Sequence, residues 1–279
     1  VGRMHLLRSC VCEFIGTFFL CVSVGLANVS EGPIPIGIML GVYVYSFGHI
    51  SGANFNPAVS LALYMRGKLN FSPMIAYIIT QMIAGFVAGG VGDAIINDGI
   101  EKSSGGTQSF YAPVPQSDEK GWSVLMECIY TFMLVSCVLH TATTKAQAGN
   151  HYYGAAIGMS VISGASLIGG YSGAALNPAV GIALPVVHDV ATHCWVYIIG
   201  PIMGAMFAVL IFSLTAEDDE HEMVRKPFIP QIGQLMIAVP HVVKSLIAEF
   251  FGTMFLVMAV ALSVAGAGGA IAIGLSLTV

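Results

Sequence analysis

One nine-residue phrase occurs twice in this chain, and it narrows the foldable architectures more than any other feature. The copies are Ser51-Gly52-Ala53-Asn54-Phe55-Asn56-Pro57-Ala58-Val59 and Ser172-Gly173-Ala174-Ala175-Leu176-Asn177-Pro178-Ala179-Val180, and seven of the nine residues are shared. Asn is a strong N-cap residue, and Pro suits the first helical turn because its missing N–H has no intrahelical partner there. Each phrase therefore reads as an unwound Ser-Gly-Ala stretch feeding a helix that starts at Asn-Pro-Ala. Its surroundings are almost wholly apolar: 56% of residues are hydrophobic, only 9% are charged, and the mean hydropathy is +0.82. Soluble domains carry roughly 25% charged residues.

The chain is thus read as an all-α integral membrane protein. Apolar runs near the roughly 20 residues that a spanning helix needs lie between short charged clusters, and barrel-type alternation is absent. The expected spans are about Leu6 to Ala27, Ile34 to Ile50, Pro73 to Ile96, Trp122 to Thr143, Tyr153 to Gly170 and Thr192 to Leu214. Two helices too short to cross, about Ala58 to Met65 and from the second phrase to about Val187, follow spans two and five.

The halves, about 6–96 and 122–214, are repeats: Glu13-Phe14-Ile15-Gly16-Thr17-Phe18 corresponds to Glu127-Cys128-Ile129-Tyr130-Thr131-Phe132, 114 residues on, and the phrases are 121 apart. Three crossings per half force the second half to insert upside down, an inverted-topology repeat whose short helices enter from opposite faces and meet near the midplane. Basic residues fix the orientation. Arg3, Arg8, Arg66, Lys68, Lys145, Arg225, Lys226 and Lys244 fall on one side and Lys102 and Lys120 on the other, so the N-terminus is expected to be cytoplasmic. Asn70-Phe71-Ser72 is then a cytoplasmic false sequon, and Asn28-Val29-Ser30 lies outside but hard against the membrane.

The net charge of -5 says little about function, because the acids concentrate in loops and in Glu217-Asp218-Asp219-Glu220, read as part of a cytoplasmic acidic linker over 216–241. Six cysteines in or at the ends of apolar spans show no metal-ligand spacing and are assigned to packing. Glu13 and Glu127 are read as the ionisable side chains within spans one to six, apart from histidines near span ends. A proton relay is one role for such groups; supporting the unwound phrases through their N–H groups is the reading favoured here. His49 is read as structural. No nucleophile, base and orienter set, phosphate loop or metal cluster appears, so the sequence is not read as an enzyme and calls for no cofactor, metal or nucleic acid.

These residues resemble the aquaporin, or major intrinsic protein, family. The likeness rests on the paired Asn-Pro-Ala phrases each preceded by Ser-Gly-Ala, on Gly48-His49-Ile50-Ser51-Gly52 and on the repeated Glu-x-x-x-Thr-Phe, and it covers about residues 6 to 214. The resemblance implies an hourglass pore in each protomer, a homotetramer, Asn56 and Asn177 donating to a solute at the pore centre, and acceptor carbonyls from Gly52, Ala53, Asn54, Gly173, Ala174 and Ala175. It also assigns Glu13 and Glu127 their loop-supporting role.

Water-selective relatives place an aromatic residue on span two, a histidine on span five and an arginine directly after the second Asn-Pro-Ala. The same offsets give Ile36, Ala165, Ala174 and Val180 here, similar to the plant tonoplast-intrinsic branch, which pairs the same Ala and Val with other residues. The glycerol-facilitator branch keeps the Arg and usually adds Asp, where this chain has Val180-Gly181. A wider, apolar and uncharged constriction is expected, passing water and small neutral solutes such as glycerol, urea, ammonia or hydrogen peroxide. A non-conducting scaffold in a larger assembly and a coupled secondary transporter are the alternatives. Which membrane holds the protein is left open.

Beyond the acidic run, Leu246-Ile247-Ala248-Glu249-Phe250-Phe251-Gly252-Thr253-Met254-Phe255-Leu256 repeats the opening of span one, with Glu249 placed 236 residues after Glu13, and Ile273–Val279 echoes Ile36–Val42. Residues 242–279 are therefore expected to begin a second channel unit, one or two further spanning helices, with an ordinary hydrophobic C-terminal extension as the alternative. With no methionine at Val1 and an end inside an apolar run, the sequence is expected to be part of a longer polypeptide. A tandem chain could complete a tetramer-like ring from two chains instead of four.

Overall fold

The computed structural model describes residues 3–27, 32–96, 110–116, 120–215 and 240–262. The linker run Glu217–Glu220, Lys102, the Asn28 sequon and the Ile273–Val279 echo lie outside the described residues. Seven described helices are long and apolar enough to cross a membrane. They are α1 (Arg3–Leu26), α2 (Pro33–Ser51), α4 (Phe71–Ala94), α5 (Lys120–Ala142), α6 (Tyr153–Ser172), α8 (Val196–Thr215) and α9 (His241–Leu262). Two shorter helices, α3 (Pro57–Met65) and α7 (Pro178–Val187), begin at the prolines of the repeated phrase. The first six spanning helices are 19 to 24 residues long. At about 1.5 Å per residue they reach about 29–36 Å, enough for a hydrocarbon core of about 30 Å.

The halves, α1–α4 and α5–α8, are related residue by residue. α2 ends at Gly52 with φ 89°, its N–H returning to the Gly48 carbonyl at 3.1 Å; α6 ends at Gly173 with φ 88°, its N–H returning to Gly169 at 3.1 Å. Both helices stop in a left-handed turn that glycine adopts without steric cost. They cross at Gly37 and Gly158, also 121 apart, where a Cβ on either glycine would lie 2.3 Å from the carbonyl oxygen of the other. Small residues let membrane helices approach this closely where no hydrophobic force draws them together. α5 and α8 meet likewise at Gly204, whose Cβ would sit 2.3 Å from the Cys128 carbonyl oxygen.

Two expectations are revised, and two placements add to the sequence reading. α8 starts at Val196 rather than Thr192, because Asp189 takes a left-handed φ of 56° after α7 and a 3-10 turn, Ala191–His193, intervenes. Glu13 and Glu127 are not the only ionisable groups in the span helices: Arg8 lies in α1, and Asp93, in the last turn of α4, places a carboxylate oxygen 3.5 Å from His188 Nδ1. Arg66 is only 1% exposed, with its guanidinium carbon 4.6 Å from the centre of the Phe212 ring, a cation–π seat. The polar segment between spans three and four is partly built into the fold. Phe110 wedges against Gly25 and Gly92, where a Cβ would lie 1.7 Å and 1.9 Å from its ring atoms, and it stacks on His188 at 4.7 Å.

Candidate functional site

Inside the first eight helices runs a cavity of about 1190 Å³, lined at one mouth by Ala27, Gly32 and Gln116 and at the other by Lys68, Lys145 and Asn150. Its wall obeys the repeat. α2 presents Ile36, Leu40, Val44 and Gly48 at helical spacing, and α6 presents Ile157, Val161, Ala165 and Gly169, each 121 residues later. α1 adds Leu20 and Val24 and α5 adds Leu134 and Val138, each 114 later.

The repeated phrases close on one another at the middle of this wall. Asn56 caps α3, its Oδ1 accepting the Ala58 N–H at 2.8 Å, and Asn177 caps α7, accepting the Ala179 N–H at 2.9 Å. Each Asn then reaches across the repeat: Asn56 Nδ2 donates to the Leu176 carbonyl at 2.9 Å, and Asn177 Nδ2 donates to the Phe55 carbonyl at 2.9 Å. One amide hydrogen of each pair is thereby held by protein. An NH₂ group has a second, and both Asn residues line the cavity. Pro57, Ala58, Pro178 and Ala179 do not line it; they build the first turns of α3 and α7.

The backbone leading into each cap is strained. Ala53, Phe55, Ala174 and Leu176 have φ of 50°, 53°, 48° and 52°, at about 1–3 kcal/mol each. The buried carboxylates hold them there. Glu13 Oε1 accepts from Ser51 Oγ at 2.7 Å and the Asn54 N–H at 2.9 Å, while Oε2 accepts from the Phe55 N–H at 2.7 Å and Gln81 Nε2 at 2.8 Å. Glu127 Oε1 accepts from Ser172 Oγ at 2.7 Å and the Ala175 N–H at 3.0 Å, and Oε2 from the Leu176 N–H at 2.7 Å. Because a trans peptide points its N–H and C=O in opposite directions, donating Asn54, Phe55, Ala175 and Leu176 to the carboxylates turns the carbonyls of Ala53, Asn54, Ala174 and Ala175 away from them. With Gly52 and Gly173, these residues face the cavity.

Two tyrosines unremarked in the sequence complete the brace: Tyr77 of α4 donates to the Ser51 carbonyl at 2.9 Å and Tyr197 of α8 to the Ser172 carbonyl at 2.5 Å. Their spacing of 120 residues is the signal that would have found them. Tyr111 is another unforeseen wall residue. It donates to the Gly173 carbonyl at 3.2 Å, and burial, with the Glu127 carboxylate adding to it, pushes its phenol up to about 12. His49 is exposed at the cavity wall.

Ile36, Ala165, Ala174 and Val180 all reach the cavity wall. Val180 follows the second Asn-Pro-Ala as Val59 follows the first, and both line the cavity. The stretch beside the second cap therefore carries no cationic side chain.

Comparison with known proteins agrees with this architecture. An aquaglyceroporin from Plasmodium falciparum, known by X-ray structure, superposes with a TM-score of 0.64 at 19% identity, covering 74% of this chain and 95% of that one, which establishes the shared fold. The probable aquaporin NIP-type of Nicotiana alata is 31% identical over 231 residues, 79% of this chain and 82% of that protein. Aquaporin-1 of Homo sapiens is 31% identical over 223 residues, 74% and 81% of the two chains. The likeness to the tonoplast-intrinsic branch is thus a likeness at the Ala and Val of the constriction and not in the relatives named here. The model of the major intrinsic protein family matches residues 1–212. The chain belongs to the major intrinsic protein family, a family of multi-pass membrane channels.

Proposed function

We propose that this protein conducts water and small neutral solutes such as glycerol, urea, ammonia or hydrogen peroxide, and excludes ions and protons. The observation that carries the reading is the meeting of two capped helix N-termini, at Asn56 and Asn177, on the wall of one cavity. Each terminus brings roughly half a positive elementary charge, so a cation or protonated carrier at that level is repelled from both sides, while a neutral solute is not. The free amide hydrogens of Asn56 and Asn177 donate to the passing solute, and the carbonyls of Gly52, Ala53, Asn54, Gly173, Ala174 and Ala175 accept from it.

Breadth of selectivity follows from Ile36, Ala165, Ala174 and Val180, which offer methyl and methylene groups at the outer constriction and no guanidinium to narrow or charge it. Lys68 and Lys145 at one mouth agree with a cytoplasmic N-terminus. Residues 1–215 form the channel unit, 216–241 the cytoplasmic linker, and α9 opens a second unit; channel units assemble as tetramers, with fewer chains where units are tandem. Proteoliposome flux tests the reading with water, urea, glycerol, ammonia and peroxide in parallel. Rapid flux of water and at least one solute above the lipid background, with no ionic current, is expected. Rapid water flux with every solute at background refutes the wide constriction, and no flux at all leaves a scaffold.

A further inference from the structure

Helix α9 repeats the residues of α1 at an offset of 236, yet it shows the channel unit its opposite side. In α1, Ser9, Cys12, Glu13, Gly16, Thr17, Leu20, Cys21 and Val24 are buried against the unit's interior. Their counterparts in α9 are Ser245, Ala248, Glu249, Gly252, Thr253, Leu256, Val257 and Val260, and none is buried. The converse also holds. α9 seats itself through Phe251, Met254, Phe255, Met258, Ala259 and Leu262, a stripe at helical spacing with Phe255 8% and Ala259 0% exposed. Phe251 and Phe255 pack on the Phe132 ring of α5 at 5.1 Å and 5.5 Å. The α1 counterparts, Ile15, Phe18, Phe19, Val22, Ser23 and Leu26, are not buried in their own unit.

Two residues on the unseated side of α9 have no purpose in the unit it touches. Glu249 is exposed midway along an apolar helix and has no hydrogen-bond or ion-pair partner among the described residues. A carboxylate facing lipid is costly, whereas its counterpart Glu13 is fully buried beneath four donors. Gly252 has nothing within 4 Å of an added Cβ, whereas a Cβ on its counterpart Gly16 would lie 2.2 Å from the Phe55 ring. A clamp and the notch beside it are both present without the strained phrase they serve.

We propose that α9 is the seam between two channel units: its phenylalanine stripe docks on α5, α6 and α8 of the first unit, and its Glu249–Gly252–Thr253 side receives a third unwound helix-start phrase from the second. The occupant is that phrase, its backbone N–H groups donating to the Glu249 carboxylate and its Phe55 counterpart filling the space over Gly252. This rests on the reading that α9 opens a second unit, and the tests separate the two.

The intact mass of the full-length natural protein tests the reading: about twice the 29.2 kDa of this sequence supports it, and a mass near 29.2 kDa overturns both reading and proposal. On the full-length protein, Glu249→Ala and Gly252→Ala test the seam through monodisperse yield and thermal midpoint in detergent. Both are expected to cause a several-fold loss of yield, like Glu13→Ala and Gly16→Ala, with Glu249→Gln recovering part of it and Leu246→Ala, at a site 63% exposed, leaving it unchanged. A carboxylate that merely faces lipid predicts the opposite sign, since its removal stabilises the helix, and an unfilled notch predicts that Ala at 252 is harmless. Neutrality or gain in either variant, or an equal loss from Leu246→Ala, overturns the seam while a doubled mass leaves the second unit standing.

Discussion

Replacing Glu127 by Gln asks how much of the second phrase's shape one carboxylate maintains. In the native protein Oε1 serves Ser172 Oγ and the Ala175 N–H, and Oε2 serves the Leu176 N–H at 2.7 Å. Glutamine keeps a carbonyl for the first two donors and turns an NH₂ group toward the Leu176 N–H. One charge-assisted bond is lost, about 1.5–3 kcal/mol, and a buried N–H is stranded at about 1–3 kcal/mol, together about 2.5–6 kcal/mol. Burying a neutral amide in place of a carboxylate relieves desolvation, and the two surviving bonds lose their charge assistance, so these changes oppose each other.

The remaining deficit is comparable to the strain the carboxylate holds in place. Ala174 and Leu176, at φ 48° and 52°, together cost about 2–6 kcal/mol. The phrase is therefore expected to relax toward ordinary backbone angles, taking with it the bond from Asn177 to the Phe55 carbonyl. At about 2–4 °C per kcal/mol for a unit of this size, the thermal midpoint in detergent falls by at least about 5 °C. Water flux through proteoliposomes falls with it. An unchanged midpoint together with native flux refutes the argument that Glu127 holds the phrase; a changed proton current with native flux and midpoint points instead to a relay.

Other perturbations bear on separate parts of the account. Val180→Arg places a guanidinium among Ile36, Ala165 and Ala174 and is expected to cut glycerol and urea flux by about tenfold, about 1.4 kcal/mol of barrier, while water flux persists in stopped-flow swelling. Gly37→Ala puts a Cβ 2.3 Å from the Gly158 carbonyl oxygen and should abolish monodisperse protein, whereas Gly90→Ala, with nothing within 4 Å, should leave it intact; both are read by size-exclusion chromatography. Tyr111→Phe removes the donor to Gly173 and should cost about 0.5–1.5 kcal/mol. A phenol held near 12 in the fold, against about 10 unfolded, favours the folded state below about pH 10 and loses that contribution as the pH rises toward about 12. The native midpoint should therefore fall more steeply than that of Tyr111→Phe across that window.

The span helices and both caps were legible because apolar length, Asn at the N-cap and Pro at the first turn act locally. Starts at Pro57 and Pro178 follow from those residues alone. What escaped was long-range. Tyr77 and Tyr197 read as ordinary span residues until a spacing of 120 pairs them, and Gly37 and Gly158 gain meaning only when the repeat brings their backbones together. Arg66 entered only the count of basic residues, because a side chain's charge does not reveal the Phe212 ring that receives it. Tyr111 sat in a polar run where nothing local points to Gly173, yet Phe110 beside it is an anchor because two distant helices offer Gly25 and Gly92.

Departures from the repeat divide the labour between the halves. Around the first phrase, Gln81 Nε2 donates to Glu13 Oε2 and to Ser60 Oγ at 3.0 Å, and Asn54 Nδ2 donates to the same hydroxyl at 3.1 Å. The corresponding residues of the second half are Pro201, Gly181 and Ala175, which have no side-chain hydrogen-bonding groups. The first carboxylate thus anchors a buried polar network and the second stands with its three donors alone. In exchange, the second phrase is tied on its carbonyl side to Tyr111, in the segment that forms one mouth. A buried hydrogen-bond network resists rearrangement, and among these side chains only Asn54 Oδ1, on the cavity wall, lacks a protein partner. Substitutions around Asn54, Ser60 and Gln81 should therefore act on folding, while those at Tyr111, Ala174 and Val180 alter which solutes pass. Selectivity can change on the second side because the first side keeps the two caps in register.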